Sequence, residues 1–200
     1  MAENLKSSDR SRNTGSSKIT VAVVTVSDLA YQGIYKDESG PKVVEAFSPD
    51  IYDVVTRSIV PDELDEIKNE LLRLADNEHV DVVVTVGGAG CSARDMTPDA
   101  TESVIEKDVP GIADAIRLKT QNPKFLLSRG VSGIRKETLI LNLPGNPESA
   151  RIAIDLVIEA IPHCIKTIQT QKPRKKRTAS TGFVGQESPA NRPPRARKLS

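Results

Sequence analysis

The sequence is short of the residues that most often announce an activity. Its 200 residues include two cysteines and two histidines. Cys91 and Cys164 form no C-x-x-C pair, so neither a redox motif nor a disulfide framework is indicated. No histidine lies near Cys91 in sequence, and His79 and His163 both sit in helical patterns. Cys91 therefore reads as a loop bystander rather than a nucleophile. No apolar run approaches the roughly 18–20 residues needed to span a bilayer. The first 18 residues contain no apolar signal core, so export is not expected. Together these absences point to a reducing compartment, and the cytosol is the expected location.

What is present is the balance of a soluble globular protein, with 38% hydrophobic and 28% charged residues. The net charge of +1 conceals an asymmetry. Residues 171–200 carry nine Lys/Arg against Glu187 alone, and residues 1–18 carry four against two acids. Residues 19–170 are left with 15 basic and 24 acidic groups, a balance near −9. A nucleic-acid-binding core would more often be basic, so nucleic acid is not expected as a partner. The PRKKR run in the tail could serve nuclear import or RNA contact, but the acidic core offers no second basic surface. Residues 1–18 read as a disordered arm and 171–200, rich in Pro, Ser and basic residues, as a disordered basic tail. One domain, 19–170, remains, with no internal repeat.

Within it, apolar runs alternate with helical patterns. Short β-branched runs predict buried strands at 19–26, 80–86 and 138–143, with a further strand at 52–60. Helices are expected at 40–47, at 62–78 (Leu64, Ile67, Leu71, Leu74 and Ala75 at helical spacing), from Thr97-Pro98, at 111–119, and as one long helix from Asn146-Pro147 to about 168. Thr97 is read as the N-cap of its helix. This alternation predicts an α/β fold: three layers, a mostly parallel sheet with helices on both faces. In such folds ligands gather at the carboxyl ends of the strands.

Each chemically informative segment falls at such an end: Ser27-Asp28, Pro61-Asp62-Glu63, the run from Gly87 through Arg94-Asp95 to Pro98, and Asn142 to Pro147. The glycine run offers exposed N–H groups for a phosphate, or simply a tight turn. It is neither a Walker A loop nor the dinucleotide fingerprint, because the required lysine and glycine spacings are absent. Asp95 beside a phosphate cradle reads as a Mg²⁺ ligand, or alternatively as a cap before Thr97. Asp62 reads equally well as a ligand or as first-turn complement to a helix dipole. Ser27 and Asp28 could merely cap the turn after the first strand. Arg129 and Arg135 could grip phosphate or be solvated. The residues alone thus indicate a metal-dependent enzyme acting on phosphates.

The ordered segments VTVSD, SGPKVVE, IVPDE, VTVGGAGCSARDMTPDAT and LLSRGVSGIRKETLILNLPGNP go further. They closely resemble the MogA/MoaB family, including its plant and gephyrin-type G domains, over roughly residues 19–168. The CinA family and the MoeA-type insertases share the fold, but insertases are much longer and their glycine motif differs. The resemblance implies a molybdopterin-binding fold and an adenylyltransferase. In that reaction the terminal phosphate of molybdopterin attacks the α-phosphorus of ATP, with Mg²⁺, giving adenylyl-molybdopterin and pyrophosphate. The family's two essential carboxylates map onto Asp62 and Asp95, which are also its implied metal ligands. Its substrate- and nucleotide-binding positions map onto Ser27, Asp28, Gly87, Gly88, Gly90, Ser128, Arg129, Asn142, Pro144, Gly145 and Asn146, and Arg94, Thr97 and Gly133 complete the expected set. Where the family usually has threonine in GGTG, this chain has Ala89. The resemblance further implies a homotrimer and a separate molybdenum insertase downstream. The rival is a molybdopterin-binding or scaffold module without adenylyl transfer.

Overall fold

The computed structural model describes residues 18–120 and 122–170. The expected arm, Lys18 apart, and the basic tail lie outside the described residues. Strands β1 (Ile19–Val26), β2 (Tyr52–Val60), β3 (Val82–Val86), β4 (Lys107–Asp108), β5 (Ser132–Arg135) and β6 (Thr138–Leu143) form one sheet in the order β2-β1-β3-β6-β5-β4. The first four of that order run parallel, and β5 and β4 close the far side antiparallel. The three strands expected at 19–26, 52–60 and 138–143 lie as read, and the one expected from residue 80 begins at Val82. β4 and β5 are additions to the expected set, because runs of two and four residues are too short to display a period.

The apolar runs hide a strict alternation. Val21, Val23, Val82, Val84, Val86, Leu139, Leu141 and Leu143 face one core. There they meet α2 (Ser39–Val44), α5 (Pro110–Lys119), α6 (Pro147–Val157) and α7 (Ile161–Thr170) through Val43, Ile112, Ile116, Ala153, Ile154 and Ile165. Ala22, Val24, Val26, Val83 and Ile140 face the opposite core, against Ile67 and Leu71 of α3 (Leu64–Leu72) and Ala100 of α4 (Thr97–Glu102). A strand buried on both faces shows no polar residues to betray its period, which is why these segments read as continuous apolar runs. The three-layer arrangement is the one the sequence predicts.

The long helix expected at 146–168 is in fact two, α6 and α7, joined by a 3₁₀ turn at Ile158–Ala160. Pro162 has no N–H to offer the Ile158 carbonyl four residues earlier. Instead Ile161 closes a tighter turn onto that carbonyl, and the Tyr52 hydroxyl donates to it as well, at 3.0 Å. Tyr52 is held in place by an edge-on contact with Phe47, ring centroids 5.0 Å apart. The break also redistributes the apolar residues read along this segment. Ile154, Val157, Ile161 and Ile165 are buried, Ile158 and Ile168 pack against them, and only Ile152 (50% exposed) and Leu156 (37%) remain on an outward stripe. Helix 62–78 is likewise shorter than expected, ending as α3 at Leu72 and continuing as a wider π turn at Arg73–Asn77.

The Tyr52 bond is testable by urea unfolding. Tyr52→Phe is expected to cost about 1 kcal/mol, the usual net worth of one such hydrogen bond. Pro162→Ala restores a competing N–H, so the same tyrosine substitution in that background is expected to cost measurably less. Equal costs in both backgrounds would separate Tyr52 from the helix break.

Candidate functional site

Parallel pairing sets the carboxyl ends of four strands level with one another. Val26 pairs with Val60, Thr25 with Val86, and Val86 with Leu143. The chain therefore leaves the sheet at Ser27, Pro61, Gly87 and Pro144 along a single edge, and the four predicted segments converge there.

At the first exit Ser27 caps the short helix α1 (Asp28–Tyr31), its Oγ accepting from the Ala30 N–H at 3.3 Å. Its own N–H donates to the Val60 carbonyl, tying β1 to β2. The second exit is joined to the first by a reciprocal clasp. The Asp28 N–H donates to Asp62 Oδ2 and the Asp62 N–H donates to Asp28 Oδ1, both at 3.0 Å. The remaining oxygen of Asp28 accepts from Arg94 Nη2 at 2.6 Å, and Arg94 Nη1 reaches Glu63 Oε1 at 2.8 Å. Arg94 thus straps the glycine loop to both exits.

The third exit needs glycine for two reasons. Gly87 (φ +106°) and Gly88 (φ +59°) occupy backbone conformations that L side chains resist. A Cβ at Gly87 would lie 2.3 Å from the Val26 carbonyl oxygen, and one at Gly88 would lie 2.4 Å from Thr97 Oγ1 and 2.9 Å from Asp62 Oδ1. Thr97 is not the cap of α4, as read from sequence, but its first residue, and Met96 precedes it as the flanking position. Its hydroxyl donates to the Gly87 carbonyl at 2.9 Å and its N–H to the Gly88 carbonyl at 3.0 Å, pinning the loop from below. The N–H groups of Gly88, Ala89 and Gly90 donate to no other group among the described residues. Asp95 sits across the loop, its Oδ2 accepting from the Ser92 N–H at 2.6 Å and lying 2.9 Å from where a Gly90 Cβ would be.

Two cavities open on this edge. The first, about 480 Å³, runs from Gly88–Gly90 and Cys91 to Lys124, Phe125, Leu127, Ser128, Pro144 and Asn146. The second, about 410 Å³, is bounded by Thr25, Ser27, Lys36, Asp37, Asp62 and Gly87. They share Gly88, Asp95 and Gly145 as a common wall.

Several predicted ligand contacts have other employment. Arg129 donates to the Gly90 and Asp95 carbonyls and to Asp99 Oδ2 (3.0, 2.6 and 2.6 Å), fastening the glycine loop to α4. Asn142 is buried behind the site, its amide donating to Thr85 and Thr101 hydroxyls and its oxygen accepting from the Val131 N–H. Both ends of its side-chain amide are thus bonded to the scaffold. Gly133 lies in β5, away from both cavities, where a Cβ would meet Ile105 Cδ1 at 2.6 Å; its glycine serves packing. Arg135 pairs with Asp76 and the Val104 carbonyl rather than any phosphate position. Asn146 lines the first cavity and also caps α6 through the Ser149 N–H.

Sequence reasoning missed Lys36, Asp37 and the cluster Lys124, Phe125 and Leu127. Asp37 accepts from the Ser39 and Gly40 N–H groups and from the Thr25 hydroxyl (3.0, 3.0 and 2.8 Å), joining the start of α2 to β1. An acidic residue two positions before Ser-Gly-Pro is the local signal that could have found it. Nothing periodic marks the others, which reach the site from irregular segments.

Comparison with known proteins fits this geometry. Residues 22–163 match a family described as "Probable molybdopterin binding domain". The chain belongs to this family. A molybdopterin adenylyltransferase of Helicobacter pylori (strain ATCC 700392 / 26695) is 40% identical over 154 residues, covering 75% of this chain and 88% of its own length. The molybdenum cofactor synthesis protein cinnamon of Drosophila melanogaster is 38% identical over 153 residues, 75% of this chain and 26% of that protein. The crystal structure of the molybdopterin biosynthesis enzyme MoaB from Thermus thermophilus matches with a TM-score of 0.72 at 38% identity, covering 75% of this chain and 96% of that one. The resemblance to the MogA/MoaB family carried by the motifs is borne out, as is the fold it implies.

In this molybdopterin-binding domain the clasped aspartates are electrostatically unequal. The Arg94 guanidinium and the Asp62 N–H hold the Asp28 carboxyl below the usual carboxylate range. Burial pushes Asp62 the other way, and the charges of Asp28 and Asp95 push it further up, against the opposing Asp28 N–H and Arg94. Ionised Asp62 is therefore a cost to the folded state. Because its folded pKa is raised, the stability tied to its protonation is present at low pH and is lost as pH rises from the ordinary carboxylate range through the raised value. Asp62→Asn removes that loss while keeping an acceptor for the Asp28 N–H. The variant is expected to melt at a higher temperature than the native protein at pH 7–8, with the gap closing below about pH 4. A variant that melts lower at neutral pH would show that the Asp62 charge is compensated.

Proposed function

We propose that this chain transfers AMP from ATP to the terminal phosphate of molybdopterin. A molybdopterin phosphate oxygen attacks the α-phosphorus, and pyrophosphate leaves with the electrons of the broken P–O bond. The observation that carries this reading is the common wall: two cavities of substrate size meet at Gly88, Asp95 and Gly145, with Asp62 beside it. Two phosphorylated substrates seated one in each cavity would bring their phosphates together there, and positioning is the larger part of phosphoryl-transfer catalysis. The free N–H groups of the glycine loop suit an anion at that point.

Mg²⁺ is the metal this reading implies. Among the described residues no group of three or more His, Cys, Asp or Glu side chains could hold a metal alone. Mg²⁺ is usually bound through one or two carboxylates and completes its shell with substrate phosphates and water. Asp62 and Asp95 are the carboxylates that fit, flanking the glycine loop at Gly88 and Gly90. Bound there, the ion would neutralise phosphate charge. The residues of the chain do the rest. Arg94 and Asp28 fix the Asp62 main chain, Ser92 orients Asp95, and Thr97 holds the glycine carbonyls turned away from the ligand.

The same reading puts the chain in the cytosol, upstream of a separate insertase; no described helix is long and apolar enough to cross a membrane. The domain proper is residues 19–170, with dispensable termini. The outward stripe of Ile152 and Leu156 on α6 favours burial against further copies, three by resemblance to the family.

The deciding experiment is pyrophosphate release by the purified protein with ATP, Mg²⁺ and molybdopterin. Asp62→Asn and Asp95→Asn are each expected to reduce it on the order of a hundredfold or more. Molybdopterin affinity should persist, because the first cavity keeps its other walls. Near-native release in both variants would sink the metal-site reading, and native protein that binds molybdopterin without release would make this a binding module. Light scattering at micromolar concentration is expected to report a trimer, and a monomer would remove the assembly reading.

A further inference from the structure

A third cavity, about 400 Å³, adjoins the second and shares Thr25, Lys36 and Asp37 with it. Its outer wall is Arg57 and Ile59 of the edge strand β2. That wall exists because of a bulge. Val21 pairs with Val54 but Ala22 pairs with Thr56, so Val55 is an extra residue in β2. Beyond it every side chain of β2 changes face. Arg57 comes to lie beside Val23 and Ile59 beside Thr25, while Ser58 turns to the other side and donates to Glu70 of α3. Had the same residues paired on without a bulge, Arg57 would lie opposite Val24, on the α3 side, and Thr56 and Ser58 would stand beside Val23 and Thr25.

Neither the Arg57 nor the Lys36 side chain has a hydrogen-bond or ion-pair partner among the described residues. The one carboxylate in the cavity lining, Asp37, already accepts three hydrogen bonds, from Ser39, Gly40 and Thr25. The arginines nearest the glycine loop are occupied, Arg94 by Asp28 and Glu63 and Arg129 by Asp99. In an acidic domain, two cations without side-chain partners therefore line a cavity that joins the second one at Thr25, Lys36 and Asp37, across that cavity from the wall it shares with the first.

We propose that Lys36 and Arg57 form the subsite for the β- and γ-phosphates of ATP, and for pyrophosphate once it is released. The inference rests on the adenylyl-transfer reading of the neighbouring cavities. As the bond from the α-phosphorus to the bridging oxygen breaks, that oxygen takes the bonding pair and pyrophosphate gains negative charge. A guanidinium and an ammonium facing it stabilise the charge where it grows. An α-phosphorus at the common wall leaves the rest of the triphosphate pointing past Thr25 toward the bulge.

The test is calorimetric titration of the full chain with pyrophosphate in the presence of Mg²⁺, and separately with AMP. Arg57→Gln and Lys36→Gln are each expected to weaken pyrophosphate binding at least about tenfold and to raise KM for ATP, as loss of a charge-assisted hydrogen bond would. In Arg57→Gln, whose side chain lines the third cavity alone, AMP affinity and melting temperature stay at the native values. Unchanged pyrophosphate affinity in both variants overturns the subsite, as does failure of the native protein to bind pyrophosphate. An equal loss of AMP affinity also overturns it, because the damage would then extend to the whole nucleotide site. The two readings fail separately. Arg57-dependent pyrophosphate binding without pyrophosphate release from ATP and molybdopterin leaves the subsite standing and removes adenylyl transfer.

Discussion

The carboxyl ends of β1 and β3 approach so closely that the Val26 carbonyl occupies the space a side chain would need at Gly87. The rest of the site depends on that contact. With no Cβ at Gly87, the loop can turn immediately at the end of the strand, and Thr97 can reach back to hold the carbonyls of Gly87 and Gly88. The carbonyls are thereby satisfied, and the N–H groups of Gly88, Ala89 and Gly90 are left without an acceptor among the described residues. The same turn sets Gly88 against Asp62 and Gly90 against Asp95. Close packing at one backbone point thus positions a donor-rich loop between two carboxylates from different parts of the chain.

Stability and function pull in different directions around this point. Asp62 is partly buried beside two like charges, and burial pushes its carboxyl upward. The chain tolerates that cost by clasping Asp62 to Asp28 through both backbone N–H groups and by strapping Asp28 with Arg94. A carboxylate held at some expense to the fold is the arrangement expected where a cation and phosphates are to be received. The arginines illustrate the complementary rule. Those near the glycine loop are used to build it, and Arg57, without a side-chain partner among the described residues, stands one cavity further out, where the bulge in β2 places it beside Val23.

Much of the architecture was legible in the residues. β-branched runs placed the parallel strands, the Gly-Gly-x-Gly segment placed the central turn, and Pro147 after Asn146 placed the start of α6. The short strands β4 and β5 were not legible, because two or four residues carry no period. The break between α6 and α7 was signalled by Pro162, yet the apolar spacing on either side reads through it. The roles of Arg129, Asn142 and Gly133 could not be separated from ligand binding by sequence, since a motif records that a residue is needed and not whether a substrate or a neighbour needs it.

What the sequence determined by itself was the identity and order of the segments that meet at one sheet edge, because alternation of strand and helix obliges parallel strands to end on the same side. What only the tertiary structure decided was the use of each side chain within those segments. Arg94 and Arg129 found carboxylates, Asn142 found hydroxyls, and a bulge in β2 set Arg57 beside Val23 in the lining of the third cavity. Those outcomes depend on distances between residues far apart in the chain, and local spacing carries no information about them.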